Sequence, residues 1–440
     1  MKHALLVSWL FPPHTSIGAR RAYKFARHLP AHGWNATVLC GRAPPARSID
    51  PSPWSVPPDI EVVADYDAAW LTALANRADA RATADRRTPE ADETDDRSKL
   101  TRSIAERVLA GTGDWLKRAL PTETIAVHLP HALRRAFSLA RDRVVDVVWT
   151  TSYPFSAHAI GVALKRRLGI PFVADLRDPW TLNFTHDERP APTRAVERAL
   201  ERTVFAAADR ITVTTESLAD AYREMYPRLA TKFTTVRNGF EPVALPDSSP
   251  TPSPVRLVHF GHIYGARSLG PIFRALSRLR ARHGWTSADV VLDNYGRLSD
   301  ADRAEATRLG LSDCVRLKAE LPYVEGLTML RDAQLLLLPA WGSARGRYFL
   351  PGKLYDYLLV GRPILAIGDN AELAAILRAT RAGVLCAASD SDAIERHIES
   401  AVRGRWRHAP DAAAVADFSV DRTTTQLAAI FDAVSTPQTS

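Results

Sequence analysis

A lysine and an aspartate near the start of one predicted helix are the residues best suited to chemistry. They are Lys353 and Asp356, in the stretch 347–367, whose pattern predicts loop, helix, turn and strand. Pro351 and Gly352 favour a helix start, where free N–H groups and the positive end of the dipole attract phosphate. Lys353 adds a positive charge, and Asp356 can accept hydrogen bonds from sugar hydroxyls. An ordinary capped surface helix shows the same pattern, so both interpretations remain open at this point.

A second group of charged residues follows a predicted strand in the N-terminal half. The strand covers residues 171–175, and Asp175, Arg177 and Asp178 lie at or just past its carboxyl end. Ligands of open α/β sheets bind outside the carboxyl ends of the strands, which favours a functional role for these residues. Two acids flanking an arginine are also typical of a structural ion pair, and this alternative remains open.

The elements that must position these residues alternate between strand and helix in two series. A strand–helix–strand pattern opens at residues 3–39, and the alternation starts again with a strand at 255–260. Such alternation predicts parallel sheets covered by helices on both faces. The Pro- and Ser-rich segment 242–254 separates the two series and is typical of a semi-rigid linker. We therefore predict an α/β fold with two Rossmann-like, doubly wound domains that face each other across a cleft.

The predicted boundaries follow from the same pattern. The first domain covers residues 1–241, the second covers 255–418, and 419–440 form a helix that can return to the first domain. The polar stretch 76–99 is interpreted as a surface excursion or a disordered loop. The basic segment 100–143 is interpreted as the solvated exterior of helices, with an interface for anionic lipid as the alternative.

Composition narrows the class of protein. The 440 residues carry a net charge of +8, which favours acidic partners such as phosphates and nucleotides. The charge is spread along the chain, without a tract long enough to bind nucleic acid.

The three cysteines lie far apart and lack Cys-x-x-Cys spacing, which indicates a reducing compartment and argues against structural zinc. No run reaches the roughly 18 apolar residues of a membrane span. We expect a cytoplasmic protein, and peripheral contact with the inner face of a membrane remains open.

Taken in order, several segments resemble the family 4 type of GT-B glycosyltransferases, the retaining nucleotide-sugar enzymes of bacterial polysaccharide synthesis. Residues 12–34 are similar to the opening loop and helix of that family. Residues 150–158 (TTSYPFSAH) and 173–180 (VADLRDPW) resemble one of its branches. Residues 236–241 (VRNGFE) contain its Asn-Gly turn, and 350–365, which begin LPGKLYDYL, resemble its donor-site helix. The resemblance spans nearly the whole chain, and it implies an acceptor-side first domain and a donor-binding second domain.

The resemblance also implies roles for individual residues. An Arg and a Lys hold the donor pyrophosphate in this family, and His262 and Arg267 occupy their places here. Two family glutamates fall on Tyr348 and Asp356. Asp356 keeps the carboxylate and is expected to bind the ribose, whereas Tyr348 has none. His262 is a weaker, pH-dependent donor than the arginine it replaces.

The implied mechanism places the donor diphosphate at the helix start near Gly352, beside Lys353 and Arg267. These positive groups would stabilise the leaving diphosphate, so we expect no cofactor and no essential metal. On the first-domain side, Gly18 and Arg21 are expected to contribute to the donor site, with Gly18 allowing close approach to the phosphates.

Asp178 is the predicted residue that orients or deprotonates the acceptor hydroxyl. The expected function is transfer of a sugar from a nucleoside diphosphate sugar to a glycan or lipid-linked acceptor, in bacterial surface polysaccharide or glycolipid synthesis. Two alternatives remain: a non-catalytic partner that binds a nucleotide sugar, and a nucleotide-sugar epimerase of the same fold.

Overall fold

Two parallel sheets form the framework of the protein in a computed structural model. The structure describes residues 1–14, 17–42, 55–67, 126, 128–246, 253–263, 265, 267–341 and 344–436. The first sheet has the strand order β3-β2-β1-β4-β5-β6-β7, and the second has β10-β9-β8-β11-β12-β13. In both sheets the order reverses beside the first strand of the series, as in doubly wound folds. The predicted α/β fold of two Rossmann-like domains is confirmed.

The strands of the first sheet are β1 (Lys2–Ser8), β2 (Trp34–Cys40), β3 (Glu61–Val63), β4 (Val147–Thr151), β5 (Phe172–Leu176), β6 (Arg210–Val213) and β7 (Phe233–Thr235). Those of the second sheet are β8 (Val255–Phe260), β9 (Val290–Tyr295), β10 (Val315–Lys318), β11 (Leu335–Pro339), β12 (Ile364–Ile367) and β13 (Gly383–Cys386). Helices cover both faces of each sheet, so the central strands β4 and β11 are buried along their whole length.

The described α-helices, numbered along the chain, belong to three groups. In the first domain they are α1 (Ile17–His28), α2 (Leu129–Asp142), α3 (His158–Leu168), α4 (Ala191–Ala207) and α5 (Glu216–Met225). In the second domain they are α6 (Gly270–His283), α7 (Asp300–Arg308), α8 (Tyr323–Arg331), α9 (Lys353–Val360), α10 (Ala371–Ala379), α11 (Ser391–Val402) and α12 (Ala412–Ala416). The last helix is α13 (Val420–Ser435).

Two chain segments cross between the domains side by side. The N–H of Phe240 donates to the carbonyl of Phe418 at 2.9 Å, and the N–H of Val420 donates back to the Phe240 carbonyl at 2.9 Å. Gly239 lies so close to the second segment that a Cβ there would be 2.8 Å from the Ser419 carbonyl carbon. These hydrogen bonds join the two segments that connect the domains.

Helix α13 packs on the first domain after that connection. Its residue Phe431 is fully buried against Trp34 of β2, with ring centroids 5.2 Å apart. The N-terminal domain core therefore includes residues from the far end of the chain.

Some sequence predictions fall on residues outside the described ranges. The interpretation of 76–99 as a surface excursion lies there entirely, as does the part of the basic segment from 100 to 125. Within the described ranges, no helix is long and apolar enough to cross a membrane.

Candidate functional site at the cleft between the two sheets

Lys353 begins helix α9 and lies against the end of strand β8. The N-cap is Gly352, and no side chain caps this helix start. The Lys353 side chain runs so close to Gly261 that a Cβ there would be 2.5 Å from Lys353 Cε and 2.9 Å from Nζ. Gly261 also has a φ of +110°, a conformation that L side chains rarely adopt. The glycine therefore creates the space in which the lysine lies.

The charges around Lys353 favour an anion. Burial, and after it the charge of the Arg267 guanidinium, lower the pKa of the Lys353 ammonium to about 8, against the opposing effect of Asp356. Arg267 is itself buried, with Cζ 5.0 Å from the centroid of the Trp341 ring. Two partly desolvated cations that repel each other are stabilised by a negative group between or beside them. The predicted pair of Lys353 and Arg267 is therefore brought together.

Two histidines near the end of β8 are held by hydrogen bonds within the second domain. His259 Nδ1 lies 2.7 Å from Asn294 Oδ1, and burial lowers its pKa to about 3, so the ring is neutral. His262 accepts from the Arg297 backbone N–H through Nδ1 at 3.1 Å. Its Nε2 therefore carries the proton, and it points to the Glu320 carboxylate at 3.4 Å. In this arrangement, the His262 N–H is directed to Glu320, so a contact with phosphate requires it to leave that partner.

Asp356 lies one turn into α9 and is bonded to the start of α8. Its Oδ1 accepts from the Tyr323 hydroxyl at 2.7 Å. From the first domain, Arg20 lies over the Tyr323 ring, with Cζ 4.7 Å from the centroid. Lys24, one turn further along α1, is buried, which lowers its pKa to about 8, and Asp356 and Glu241 oppose that shift. Two cations of α1 thus lie near the Asp356 carboxylate across the cleft.

A pocket opens beside these residues. Its cavity volume is about 180 Å³, and it is open to solvent. The second domain contributes Phe260, His262, Glu320 and Tyr323 to its wall, and the first domain contributes Arg20. The combination of aromatic rings, a carboxylate and a guanidinium suits a planar polar ligand next to the cationic pair.

Arg21 differs from the prediction that it binds the donor. It is buried, and its guanidinium forms a bidentate pair with Asp175 at 2.7 and 2.9 Å. Its other N–H groups donate to the carbonyls of Val236 and Arg237 and to Asn238 Oδ1. All five N–H groups are thus used inside the first domain, so none remains for a phosphate. We correct this assignment: Arg21 is structural.

Asp175 completes the same buried network. Its carboxylate also accepts from the hydroxyls of Thr151 and Thr212, each at 2.6 Å. Burial raises the pKa of Asp175, but the Arg21 charge and these hydrogen bonds hold it below its ordinary value. The anticipated cluster of Asp175, Arg177 and Asp178 is therefore divided. Asp175 forms a structural ion pair with Arg21 of α1, whereas Arg177 pairs with Asp178.

Gly18 and Asp178 lie on either side of Arg177 at the first-domain edge. A Cβ on Gly18 would overlap Arg177 Nη1 and lie 2.6 Å from Leu10 Cδ1. In this structure, the space over Gly18 accommodates a protein side chain, whereas we expected it to admit a phosphate. The Asp178 side chain is 39% exposed and accepts from Arg177 Nε at 3.2 Å. An exposed carboxylate at this edge is accessible to a ligand.

Tyr348 is not among the residues that line the pocket described above. Its side chain is buried within the hydrophobic core of the first domain, although it belongs to the second-domain chain. Its hydroxyl accepts from Arg347 Nη2 at 3.0 Å, and its carbonyl accepts from the Thr215 hydroxyl at 3.1 Å. Its position does not support the prediction of donor contact, because the ring packs between the domains and reaches no part of the pocket wall described above.

A carboxylate that sequence reasoning missed joins the domains beside Tyr348. Glu372 of α10 accepts from the backbone N–H groups of Glu216 and Ser217 at 3.0 Å each, and from the Ser217 hydroxyl at 2.9 Å. It also pairs with Arg237 at 2.7 Å. A second-domain side chain therefore caps the N-terminus of first-domain helix α5. No local signal in the sequence links these residues, which are more than 130 positions apart.

Aromatic side chains add a second interdomain contact. Phe184 of the first domain lies against Trp341, with ring centroids 5.2 Å apart, and against Phe349, at 5.8 Å. Trp341 is the same ring that carries Arg267 on its face. The contact between the domains is thus continuous with the cationic pair.

Comparison with known proteins agrees with this architecture. The sequence profile described as Glycosyl transferase 4-like domain matches residues 18–239, about half of the chain. A search of curated proteins found no match.

Several solved structures share the fold at low sequence identity. A trehalose-phosphate synthase (UDP-forming) from Burkholderia vietnamiensis has a TM-score of 0.60 and 12% identity, covering 99% of both chains. The lipopolysaccharide outer core galactosyltransferase WaaB has a TM-score of 0.58 and 12% identity, covering 98% of this chain and 100% of its own. A sucrose-phosphate synthase from Thermosynechococcus elongatus has a TM-score of 0.57 and 13% identity, covering 99% and 96%. The predicted two-domain GT-B fold is confirmed.

Proposed function

The chain belongs to the glycosyl transferase 4-like family, and we propose that it moves a sugar from a nucleoside diphosphate sugar to an acceptor hydroxyl. The observation that carries this proposal is the cationic pair Lys353 and Arg267 at the cleft, beside the uncapped start of α9. A diphosphate leaving group develops negative charge as the glycosidic bond breaks. Fixed cations and a helix N-terminus next to that charge lower the barrier without rearranging during the reaction.

Metal independence is part of the proposal. Lys353, Arg267 and the first N–H groups of α9 together offer the charge and hydrogen bonds that neutralise a diphosphate. The chain's own groups can thus take the place that a divalent cation has in other transferases. Retention of configuration is proposed from family membership.

Asp356 is proposed to bind the ribose. Its Oδ1 is occupied by the Tyr323 hydroxyl, but an ionised carboxylate has about four acceptor positions on its two oxygens. The second oxygen can therefore accept from a ribose hydroxyl while Tyr323 keeps the group in place.

Asp178 is proposed to orient the acceptor hydroxyl or accept its proton. It lies in the loop after the carboxyl end of β5, partly exposed, and its partner Arg177 lies against Gly18 near the start of α1. A general base must reach the hydroxyl directly or through one water, and a loop carboxylate can make that adjustment when the substrate binds.

The acceptor is proposed to be a growing glycan or lipid-linked sugar at the cytoplasmic face of a bacterial membrane. A galactosyltransferase of lipopolysaccharide outer core shares the fold, which supports a role in surface polysaccharide or glycolipid synthesis. The net charge of +8 supports a peripheral contact with anionic lipid.

The decisive experiment is turnover of a panel of nucleoside diphosphate sugars, with and without lipid-linked acceptors, and with or without EDTA. Transfer that needs an acceptor and survives EDTA supports the proposal. Product formation without an acceptor would indicate an epimerase. Nucleotide binding with no turnover under any condition would indicate a non-catalytic partner.

A further inference from the structure

Arg20 of the first domain forms part of the wall of the second-domain pocket. It lies one turn into α1, and its guanidinium covers the ring of Tyr323 at 4.7 Å. The same pocket is lined by Phe260, His262 and Glu320 of the second domain. The pocket therefore contains one planar cation from α1 of the first domain among residues that otherwise belong to the second domain.

Tyr323 connects this cation to the proposed ribose group. Its ring lies under Arg20, while its hydroxyl donates to Asp356 at 2.7 Å. Lys24 of the same helix is buried and interacts electrostatically with Asp356. Helix α1 thus interacts through Arg20 with the Tyr323 ring and through Lys24 with Asp356, the carboxylate proposed to bind the ribose.

A guanidinium is suited to nucleotide recognition in a way that an ammonium is not. It is planar, stacks on aromatic faces, and donates two parallel hydrogen bonds to phosphate or carbonyl oxygens. Arg20 lines the pocket while its plane covers the Tyr323 ring, so a nucleotide bound in the pocket lies within reach of its guanidinium.

We propose that Arg20 is a donor-binding residue of the first domain, which engages the nucleoside diphosphate part of the donor across the cleft. This inference rests on the proposed function. It adds a first-domain contact to a site whose other residues are on the second domain.

The test measures binding of UDP, GDP and ADP by calorimetry, together with donor kinetics, for wild type and variants. For the nucleotide that wild type binds best, Arg20→Ala is expected to raise Kd and donor KM at least about tenfold. The kcat at saturating donor is expected to change much less, since Arg20 does not touch the reacting atoms. Arg20→Lys keeps the charge but loses the plane, and it is expected to recover only part of the affinity.

A double-mutant cycle examines the link to Tyr323. Tyr323→Leu removes the ring under the guanidinium, so its effect on Kd and that of Arg20→Ala are expected to be less than additive. Arg27→Ala is the matched control, because this arginine is on the same helix but pairs with Glu241 at 3.7 Å. It is expected to leave Kd unchanged. If Arg20→Ala does not fold, Arg20→Lys and the Tyr323 variant carry the test.

The outcomes separate this inference from the proposed function. Wild-type transfer with an unchanged Kd and KM in Arg20→Ala would overturn the role of Arg20 alone. Nucleotide binding that depends on Arg20, without transfer to any acceptor, would support it and overturn the transferase proposal. Failure of wild type to bind these three nucleotides and also CDP and dTDP would overturn both.

Discussion

Gly261 and Lys353 lie in direct contact, and the contact is possible because Gly261 has no side chain. A Cβ at position 261 would be 2.9 Å from the Lys353 Nζ, and the glycine φ of +110° is itself unfavourable for alanine. Gly261→Ala is therefore expected to displace the ammonium from the cleft. We expect transfer to fall by at least about tenfold, which corresponds to roughly 1.4 kcal/mol. Steady-state kinetics with a varied donor will measure the loss.

Gly284→Ala separates crowding from backbone strain. Gly284 has a φ of +67° at the end of α6, and a Cβ there would meet nothing within 4 Å. This variant introduces strain without touching Lys353, so it is expected to lower thermal stability and leave donor kinetics unchanged. If both variants lose activity equally, the close approach to Lys353 is not the cause.

The lowered pKa of Lys353 predicts a pH dependence of nucleotide binding. A pKa of about 8 means that the ammonium loses its proton as pH rises from about 7 to 9. Affinity for a nucleoside diphosphate is therefore expected to fall above pH 8, by up to about tenfold per pH unit. Lys353→Arg keeps its charge throughout and is expected to flatten the profile. Calorimetric titrations between pH 7 and 9.5 measure it.

Lys24→Arg is the control for this profile, because the pKa of Lys24 is also lowered to about 8 by burial. If Lys353 is the group that holds the diphosphate, the Lys24 variant keeps the decline in affinity above pH 8.

The stability of the protein should change with pH in the opposite direction to nucleotide binding. The folded state releases the Lys353 proton before the unfolded chain does, whose lysine has a pKa near 10.5. The free energy of unfolding is thus expected to rise with pH between about 8 and 10.5.

Asp178→Asn tests the acceptor-side assignment. The substitution keeps the size of the side chain but removes its charge and its capacity to accept a proton. We expect transfer to be abolished while the affinity for nucleoside diphosphate stays within about twofold of wild type. A loss of nucleotide binding would show that Asp178 has a structural role with Arg177. Binding and turnover are therefore measured on the same preparation.

Local patterns in the sequence predicted the helix that carries Lys353 and Asp356, and the two parallel sheets. Helix α9, its start at Lys353 and its end at Gly361 follow from residues within ten positions of each other. The doubly wound sheets likewise follow from the alternation of short apolar runs and amphipathic segments. These features depend on backbone conformation and periodicity, which neighbouring residues determine.

The parts that the sequence did not reveal depend on partners far along the chain. Arg21 follows a glycine at a helix start, as a phosphate ligand does, but its partner Asp175 is 154 residues away. Tyr348 replaces a family glutamate, yet it is buried in the core of the other domain. A charged or aromatic residue gives the same signal in the sequence whether its side chain contacts a ligand or a buried partner. Only the three-dimensional packing distinguishes these cases, within the first domain for Arg21 and between the domains for Tyr348.

Glu372 offers a test of how the domains are held together. Its carboxylate accepts from two N–H groups at the start of α5 and from Arg237, with the side chain 8% exposed. A negative group at a helix N-terminus is stabilised by the dipole and by the otherwise unbonded N–H groups. Glu372→Gln removes the charge and replaces one acceptor oxygen with a donor. The backbone N–H of Ser217 or Glu216 is then left without its partner.

We expect Glu372→Gln to favour separation of the two domains. Amide hydrogen exchange at Ser217 should become faster, and the radius of gyration from small-angle scattering should increase. Glu305→Gln is the control, because Glu305 of α7 pairs with Arg274 and Arg308 within the second domain and caps no helix of the first. It is expected to leave both measurements unchanged. If Glu372→Gln leaves the radius and the exchange at Ser217 as in wild type, the carboxylate does not hold the domains together, and Tyr348 with the Phe184 cluster must do so.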